Sequence, residues 1–355
     1  MQWKLSEEQD AYQQTVRDWL ADVAPSEKVR RWLEAADDSA FTSRFVADGW
    51  AGVGLPEDLG GQGGGLVELA LTAEELARAA VPSSAWLATV LALPALAGRP
   101  GLAEAALAGE TVALLVPAEK VPDTAAPLTV AADGTISGTV SRVLAGDTAT
   151  RFVVPVTRDG HRELRLVEAD AQGVGIHPRP LLDRSRSVAD VVVEQAASVR
   201  LDVDAAAVLS KASHQAAVLL AADSLGATER MLGLAVEYSK QRHQFGVPIG
   251  SFQAVKHAAA TILVGVEAAR SAVYFAAASV DGGDPQAALH AAAVKAQVTA
   301  DGAYAADSAL TLHGAIGYTW EHDLHLFYKR AKLDENLFGT VAVWNERIAD
   351  GLALV

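Results

Sequence analysis

Between two long alanine-rich runs, the segment YSKQRHQFGVPIGSFQ, residues 238–253, concentrates hydrogen-bonding and aromatic side chains. A guanidinium such as that of Arg242 can grip a phosphate or carboxylate through two parallel N–H bonds. Gln244 and Gln253 can donate to phosphate or base oxygens, and Phe245 can pack on a flat ring. The same residues admit a plainer use, in which Arg242 pairs with a neighbouring carboxylate and the phenylalanines enter the core. Local chemistry leaves both readings open.

Other reaction classes lack their motifs. GGQGGG (60–65) does not fit the G-x-G-x-x-G fingerprint, and no G-x-x-x-x-G-K-[ST] occurs, so Rossmann and P-loop sites are not expected. The glycine run reads as a turn that uses positive φ. Nine histidines include no H-E-x-x-H, and His322 with His325 share a helical face without a Glu-x-x-His partner. A solvated face is the expectation there, and no metal site. There is no G-x-S-x-G elbow. With no cysteine, disulfides, thiol nucleophiles and cysteine metal sites are excluded. A net charge of −15 argues against nucleic acid and anionic membrane surfaces as partners. The start, MQWKLSEEQD, lacks a secretion pattern. The most apolar window, 80–98, contains Pro82, Ser83, Ser84 and Pro94, which suits a buried helix rather than a membrane span. A soluble cytoplasmic protein is expected.

Three textures position the segment. From Leu5 to Gly109 the period is helical. Ser6 and Gln9 have capping-box spacing, and Tyr12, Val16, Trp19 and Leu20 lie near one face. The turn GLPEDLGGQGGG (54–65) separates these helices from another over 68–80. From Thr111 to Leu201 short β-branched runs such as TVALLVP, RFVVPVT and VADVVVE read as strands, with Asp133-Gly134 as a hairpin signal. From Asp204 onward four helices are expected, over 204–240, 252–281, 285–313 and 322–351. The predicted fold is α+β: an N-terminal α-helical domain (1–110), a small β domain (111–203) and a C-terminal four-helix bundle (204–355).

Three stretches, taken in order, resemble the acyl-CoA dehydrogenase family over nearly the whole chain. DGWAGVGLPEDLGGQGGGLVELALTAEELARA (48–79) is similar to the family's glycine-rich turn and following helix. YSKQRHQFGVPIGSFQAVKHAAA (238–260) resembles its Y-x-x-x-R-x-x-F-G…Q segment. LHGAIGYTWEHDLHLFYKRAK (312–332), with FGT just beyond, resembles its H-G-G-x-G-Y-x-x-E segment. The resemblance implies FAD and an acyl-CoA substrate. A family glutamate removes the α-proton of the thioester while the β-hydride passes to the flavin, giving a trans-2-enoyl-CoA. No side chain accepts a hydride, so a cofactor must. The resemblance also implies that Arg242, Phe245 and Gln253 reach across a subunit interface to a neighbour's FAD, with Gln244, Gly314 and Gly317 as further cofactor contacts.

The sequence departs from the family where the base belongs. The glutamate before G-T is replaced by Phe338, and the alternative station, 26 residues before Arg242, is Ala216. Neither can accept a proton. Glu335 is the candidate for a displaced base, and His214 also lies nearby; both equally suit ordinary polar positions. The family's T-E-P-x-x-G-S-D-like flavin stretch reads LLVPAEKVPDTAAPLTV here, Ala315 replaces a glycine, and Thr311 replaces the usual glutamine. The expectation is therefore the non-catalytic subunit of a hetero-oligomer of α2β2 composition. Its partner, a second acyl-CoA dehydrogenase subunit, would carry the catalytic glutamate and oxidise an acyl-CoA, a steroid-derived one among the choices. The alternatives are a self-sufficient homo-oligomer with a displaced base and a flavin-dependent monooxygenase.

Overall fold

A computed structural model describes residues 4–126 and 128–352. Helices come first: α1 (Glu7–Val23), α2 (Ser26–Ala35), α3 (Ser39–Ala47), α4 (Leu66–Arg78), α5 (Ser84–Ala92) and α6 (Pro100–Leu107). The expected capping box opens α1: Ser6 Oγ accepts from the Gln9 amide at 3.1 Å, and Gln9 Oε1 accepts from the Ser6 amide at 3.0 Å. α4 is buried from Leu66 to Ala77 except at half-buried Glu68, and α5 is mostly buried, as expected of the apolar window.

The glycine run before α4 is a turn, with positive φ at Gly60, Gly63 and Gly64. Gly65 serves a different purpose. A Cβ there would lie 2.4 Å from the Asp281 carboxylate, which accepts from the Leu66 and Val67 amides at 2.7 and 3.2 Å. A side chain 215 residues away thus caps α4, and only glycine lets it approach.

The central sheet contains β1 (Val112–Leu114), β2 (Leu128–Val130), β3 (Ile136–Leu144), β4 (Arg151–Arg158), β5 (His161–Glu168), β6 (Val174–Arg179), β7 (Val188–Ala196) and β8 (Val199–Leu201). Its order is β6-β7-β3-β2-β4-β5-β8, with β1 parallel to β4. The Asp133-Gly134 turn joins antiparallel β2 and β3 as expected, with Asp133 accepting from the Thr135 amide. Pro155 sits inside β4 without breaking it. It falls between the stretch of β4 that pairs β1 (151–153) and the stretch that pairs β2 (156–157), where no ladder donor is needed. β6 carries no buried residue and escapes prediction for that reason.

The C-terminal part is a helical bundle of α7 (Ala205–Gln241), α8 (Gln253–Asp281), α9 (Ala287–His313) and α10 (Leu324–Asp334), with α11 (Val341–Gly351) packed on α9. The single helix expected over 322–351 is two. Phe338 and Gly339 take φ of +50° and +106°, which no α-helix admits. The elbow they form is held by Lys295, whose buried ammonium donates to the carbonyls of Asp334 (2.8 Å) and Gly339 (3.3 Å). Burial pulls this lysine down to about 8.

A buried ionic cluster joins the three layers. Arg330 of α10 donates to both oxygens of Asp223 on α7 (2.6 and 2.7 Å), to the Val81 carbonyl and to Ser83. Arg186, before β7, bonds the same Asp223 and Ser83. Burial opposes ionisation of Asp223, but the two arginines override it and pull the carboxyl down to about 2. Burial, and then the Asp223 charge, hold neighbouring Asp334 well above the usual carboxylate range.

Candidate functional site

The residues around Arg242 form a small platform at the end of α7. Arg242 caps that helix, its amide donating to the Tyr238 carbonyl at 2.8 Å, and its own carbonyl accepts from the Ile249 amide at 2.8 Å. Between these anchors β9 (His243–Gln244) and β10 (Val247–Pro248) make a hairpin with Phe245-Gly246 as its two-residue turn. Both turn residues have positive φ, +52° and +81°, the pattern of a type I′ turn. A bulky residue in that conformation is strained.

Phe245 is 93% exposed and meets Phe252 edge-on, with ring centroids 6.1 Å apart. The reading that sends the phenylalanines into the core is therefore corrected: the type I′ geometry aims Phe245 outward. Arg242, Gln244 and Gln253 are exposed too. The Arg242 guanidinium has no ion-pair or hydrogen-bond partner among the described residues, so the alternative of a neighbouring carboxylate also falls. Gln253 opens α8, whose N-cap, Phe252, offers no side-chain acceptor. Free amides at a helix start beside a free guanidinium suit a diphosphate. An exposed aromatic pair next to them suits a flat ring.

Gly314 and Gly317 lie in the 3₁₀ turn after α9. Gly314 takes φ +64° and ψ −147°, a conformation open to glycine, and faces open space. Gly317 is packed: a Cβ there would lie 2.9 Å from Leu310 Cδ1. His325 corrects another expectation. It is buried against Trp320 (4.8 Å) rather than solvated, and burial, then Lys329, pull it down to about 4. Among the described residues no group of histidines and carboxylates is arranged to hold a metal.

The two expected base positions lie inside the protein. Phe338 is 3% exposed; its amide donates to the Ala118 carbonyl at 2.6 Å and its carbonyl accepts from Trp344 Nε1 at 3.1 Å. Ala216 is buried on α7. Nearby, the Asp123 amide donates to Ser213 Oγ at 3.1 Å, and Arg347 pairs with the Asp123 carboxylate. Burial lowers the pKa of the adjacent His214. Glu335, the α10 C-cap, is half-buried, and its carboxylate makes no hydrogen bond among the described residues.

The Phe338–Ala118 backbone bond joins the elbow at the expected base position directly to the stretch LLVPAEKVPDTAAPLTV, where the resemblance places a flavin contact. The Arg242 guanidinium, by contrast, is exposed and unpaired among the described residues. The hairpin and the Lys295 clamp were not foreseen. Only the adjacent Phe-Gly pair hinted at the turn.

Comparison with known proteins gives the chain its relatives. Residues 6–100 match the model of the acyl-CoA dehydrogenase N-terminal domain and residues 206–353 that of the C-terminal domain. The chain is 34% identical to acyl-CoA dehydrogenase IpdE2 of Mycobacterium tuberculosis, over 92% of this chain and 91% of that protein. It is 35% identical to acyl-CoA dehydrogenase FadE34 of the same organism over 97% of this chain, but spans only 48% of that protein's length. Among solved structures it superimposes on the Tcur3481-Tcur3483 steroid ACAD G363A variant with a TM-score of 0.88 (26% identity, 98% of each chain). On the ChsE4-ChsE5 complex from M. tuberculosis the TM-score is 0.87 (26% identity, 100% of each chain).

Proposed function

The chain belongs to the acyl-CoA dehydrogenase family, and from that premise we propose that it is the non-catalytic subunit of a heterotetramer that oxidises an acyl-CoA to a trans-2-enoyl-CoA. FAD, when bound, accepts the hydride. The partner subunit supplies the catalytic glutamate and most of the flavin pocket. This chain supplies Arg242 to the diphosphate, the α8 amides and Gln253 beside it, and Phe245 to a ring face. Gln244, Gly314 and Gly317 complete the surface.

One observation carries the reading: the elbow that holds Phe338 is bonded to Ala118, while Phe245 stands exposed with only an edge contact to Phe252 and the exposed Arg242 guanidinium has no partner among the described residues. Further support comes from α8. It is apolar and long enough to cross a membrane, as is α7, yet only 28% of its most apolar stretch is buried, against 72% for α7. Leu263 and Val264 on it are exposed. Exposed apolar residues on the helix that Gln253 opens suit a partner subunit. FadE34 has about half its length outside the match, enough for a second chain of this size. The structural neighbours include a two-protein complex and a steroid acyl-CoA dehydrogenase, which favours a bulky steroid-derived acyl group.

The test is to purify the chain alone and with a dehydrogenase encoded beside its gene. One flavin for every two chains, and activity only in the mixed particle, are expected. Full FAD occupancy and turnover by the chain alone would sink the proposal. Glu335 supports a second reading, a self-sufficient enzyme with a displaced base, because it is half-buried and unbonded next to the elbow. In a chain active by itself, unchanged turnover of Glu335→Gln would dismiss that reading.

A further inference from the structure

Three packed rings, two stacked and the third edge-on, lie between the two halves of the contact surface. Tyr238 is one helical turn before Arg242 and bonds its amide. Its ring stacks on His313 at 4.8 Å and 22°, and His313 packs against His322 at 4.6 Å and 60°. His313 ends α9 immediately before Gly314. His322 follows the loop, and its Nδ1 accepts from the Leu324 amide at 3.1 Å where α10 begins. The stack therefore ties the last turn of α7 to both ends of the loop that carries Gly314 and Gly317.

The protonation of His313 can be read from its partners. Its Nδ1 lies 2.7 Å from the Ala309 carbonyl and so carries the hydrogen, which leaves Nε2 as a buried acceptor with no partner. A second proton would place a full charge in the buried stack. Burial lowers the pKa of His313; the Ala309 and Leu234 carbonyls favour its charged form but do not offset that burial. His322 is also lowered by burial, then by His313, Arg30 of α2 and Arg230 of α7, against Asp323. Tyr238 completes the groups that face the pair.

We propose that the Tyr238–His313–His322 stack is the positioning element of the contact surface. It holds Arg242 and the Gly314–Tyr318 loop as one body while the imidazoles are neutral, and it releases them when His313 takes a proton. The inference rests on the reading that this surface meets a partner's FAD, and it assigns His313 a positioning role.

Hydrogen–deuterium exchange on the chain alone, corrected for intrinsic rates, tests the coupling across the imidazole range, from about pH 8 to about pH 5. Segments 238–253 and 314–318 should lose protection together as the pH falls. His313→Phe keeps a ring in the stack without a proton site and should keep both segments protected in acid. His313→Ala should loosen both at every pH. In the mixed particle, FAD retention should fall roughly threefold to tenfold in acid for the wild type and stay level for His313→Phe. Independent responses of the two segments, or an acid loss that persists in His313→Phe, would overturn the proposal. Arg242→Ala separates the two claims. If it leaves FAD retention unchanged while the two segments still respond together, the cofactor reading falls and the coupling stands.

Discussion

The elbow at Phe338 and the hairpin at Phe245 share a backbone device and use it in opposite ways. Each places a phenylalanine at φ near +50° beside a glycine with positive φ. At the elbow the strain is enclosed: the Phe338 amide and carbonyl are bonded, and Lys295 ties the flanking carbonyls. At the hairpin the ring stands in solvent and the guanidinium of nearby Arg242 has no partner among the described residues. Buried polar groups are satisfied because leaving them unpaired is expensive. Exposed groups held in a strained conformation fit the proposal that their partner lies outside the chain. On the proposed function, the first region is a site that has closed and the second is one kept open.

The largest effect that can break this contrast lies in the enclosed half. Arg330→Ala leaves the buried Asp223 carboxylate with Arg186 as its one remaining arginine partner and should cost about 3 kcal/mol or more in urea denaturation. Arg242→Ala should leave stability within about 0.5 kcal/mol, yet weaken FAD retention in the mixed particle by about tenfold or more, as loss of a charge-assisted bond does. Equal stability losses for the two arginines would remove the distinction between them.

Next in size is a pH effect at Glu74, which fastens α8 to α4. Its carboxylate accepts from Tyr274 Oη at 2.7 Å and from Arg270 at 2.8 Å. Burial pushes the carboxyl up to about 7, with Arg270 opposing. Because the folded value lies above the unfolded one, the stabilising contribution is present below the unfolded pKa, about 4.5. It is lost as the pH rises through about 7, a loss on the order of 3 kcal/mol. Glu74→Gln should flatten that part of the pH–stability curve; an unchanged slope would show that Glu74 is ionised throughout.

How much of this was legible in the sequence depends on the range of the interaction. The capping box at Ser6, the Asp133-Gly134 turn and the three long helices α7 to α9 are set by neighbours in sequence, and the pattern shows them. Gly65 looked like one more turn residue, because Asp281, which needs the space, is far along the chain. The break at Phe338 was invisible for the same reason: Lys295, on α9, holds the elbow from outside. Arg242, Phe245 and Gln253 were singled out by residue type and by resemblance. Their openness was not legible, since an unpaired arginine and a paired one read alike until their surroundings are known.

The smallest predicted effect is the sharpest test of the contrast. Phe245→Gly removes a side chain that makes one edge contact within the chain, with Phe252, and it relieves a positive φ. A turn of this type favours glycine at both central positions. The isolated chain should therefore become more stable, by about 1 kcal/mol, as judged by its urea midpoint. The mixed particle should lose FAD or subunit affinity at the same time, because the proposed function places the ring's other contacts on the partner subunit. If the isolated chain is destabilised instead, Phe245 is packing within its own chain and the exposed hairpin is not a surface kept for a partner.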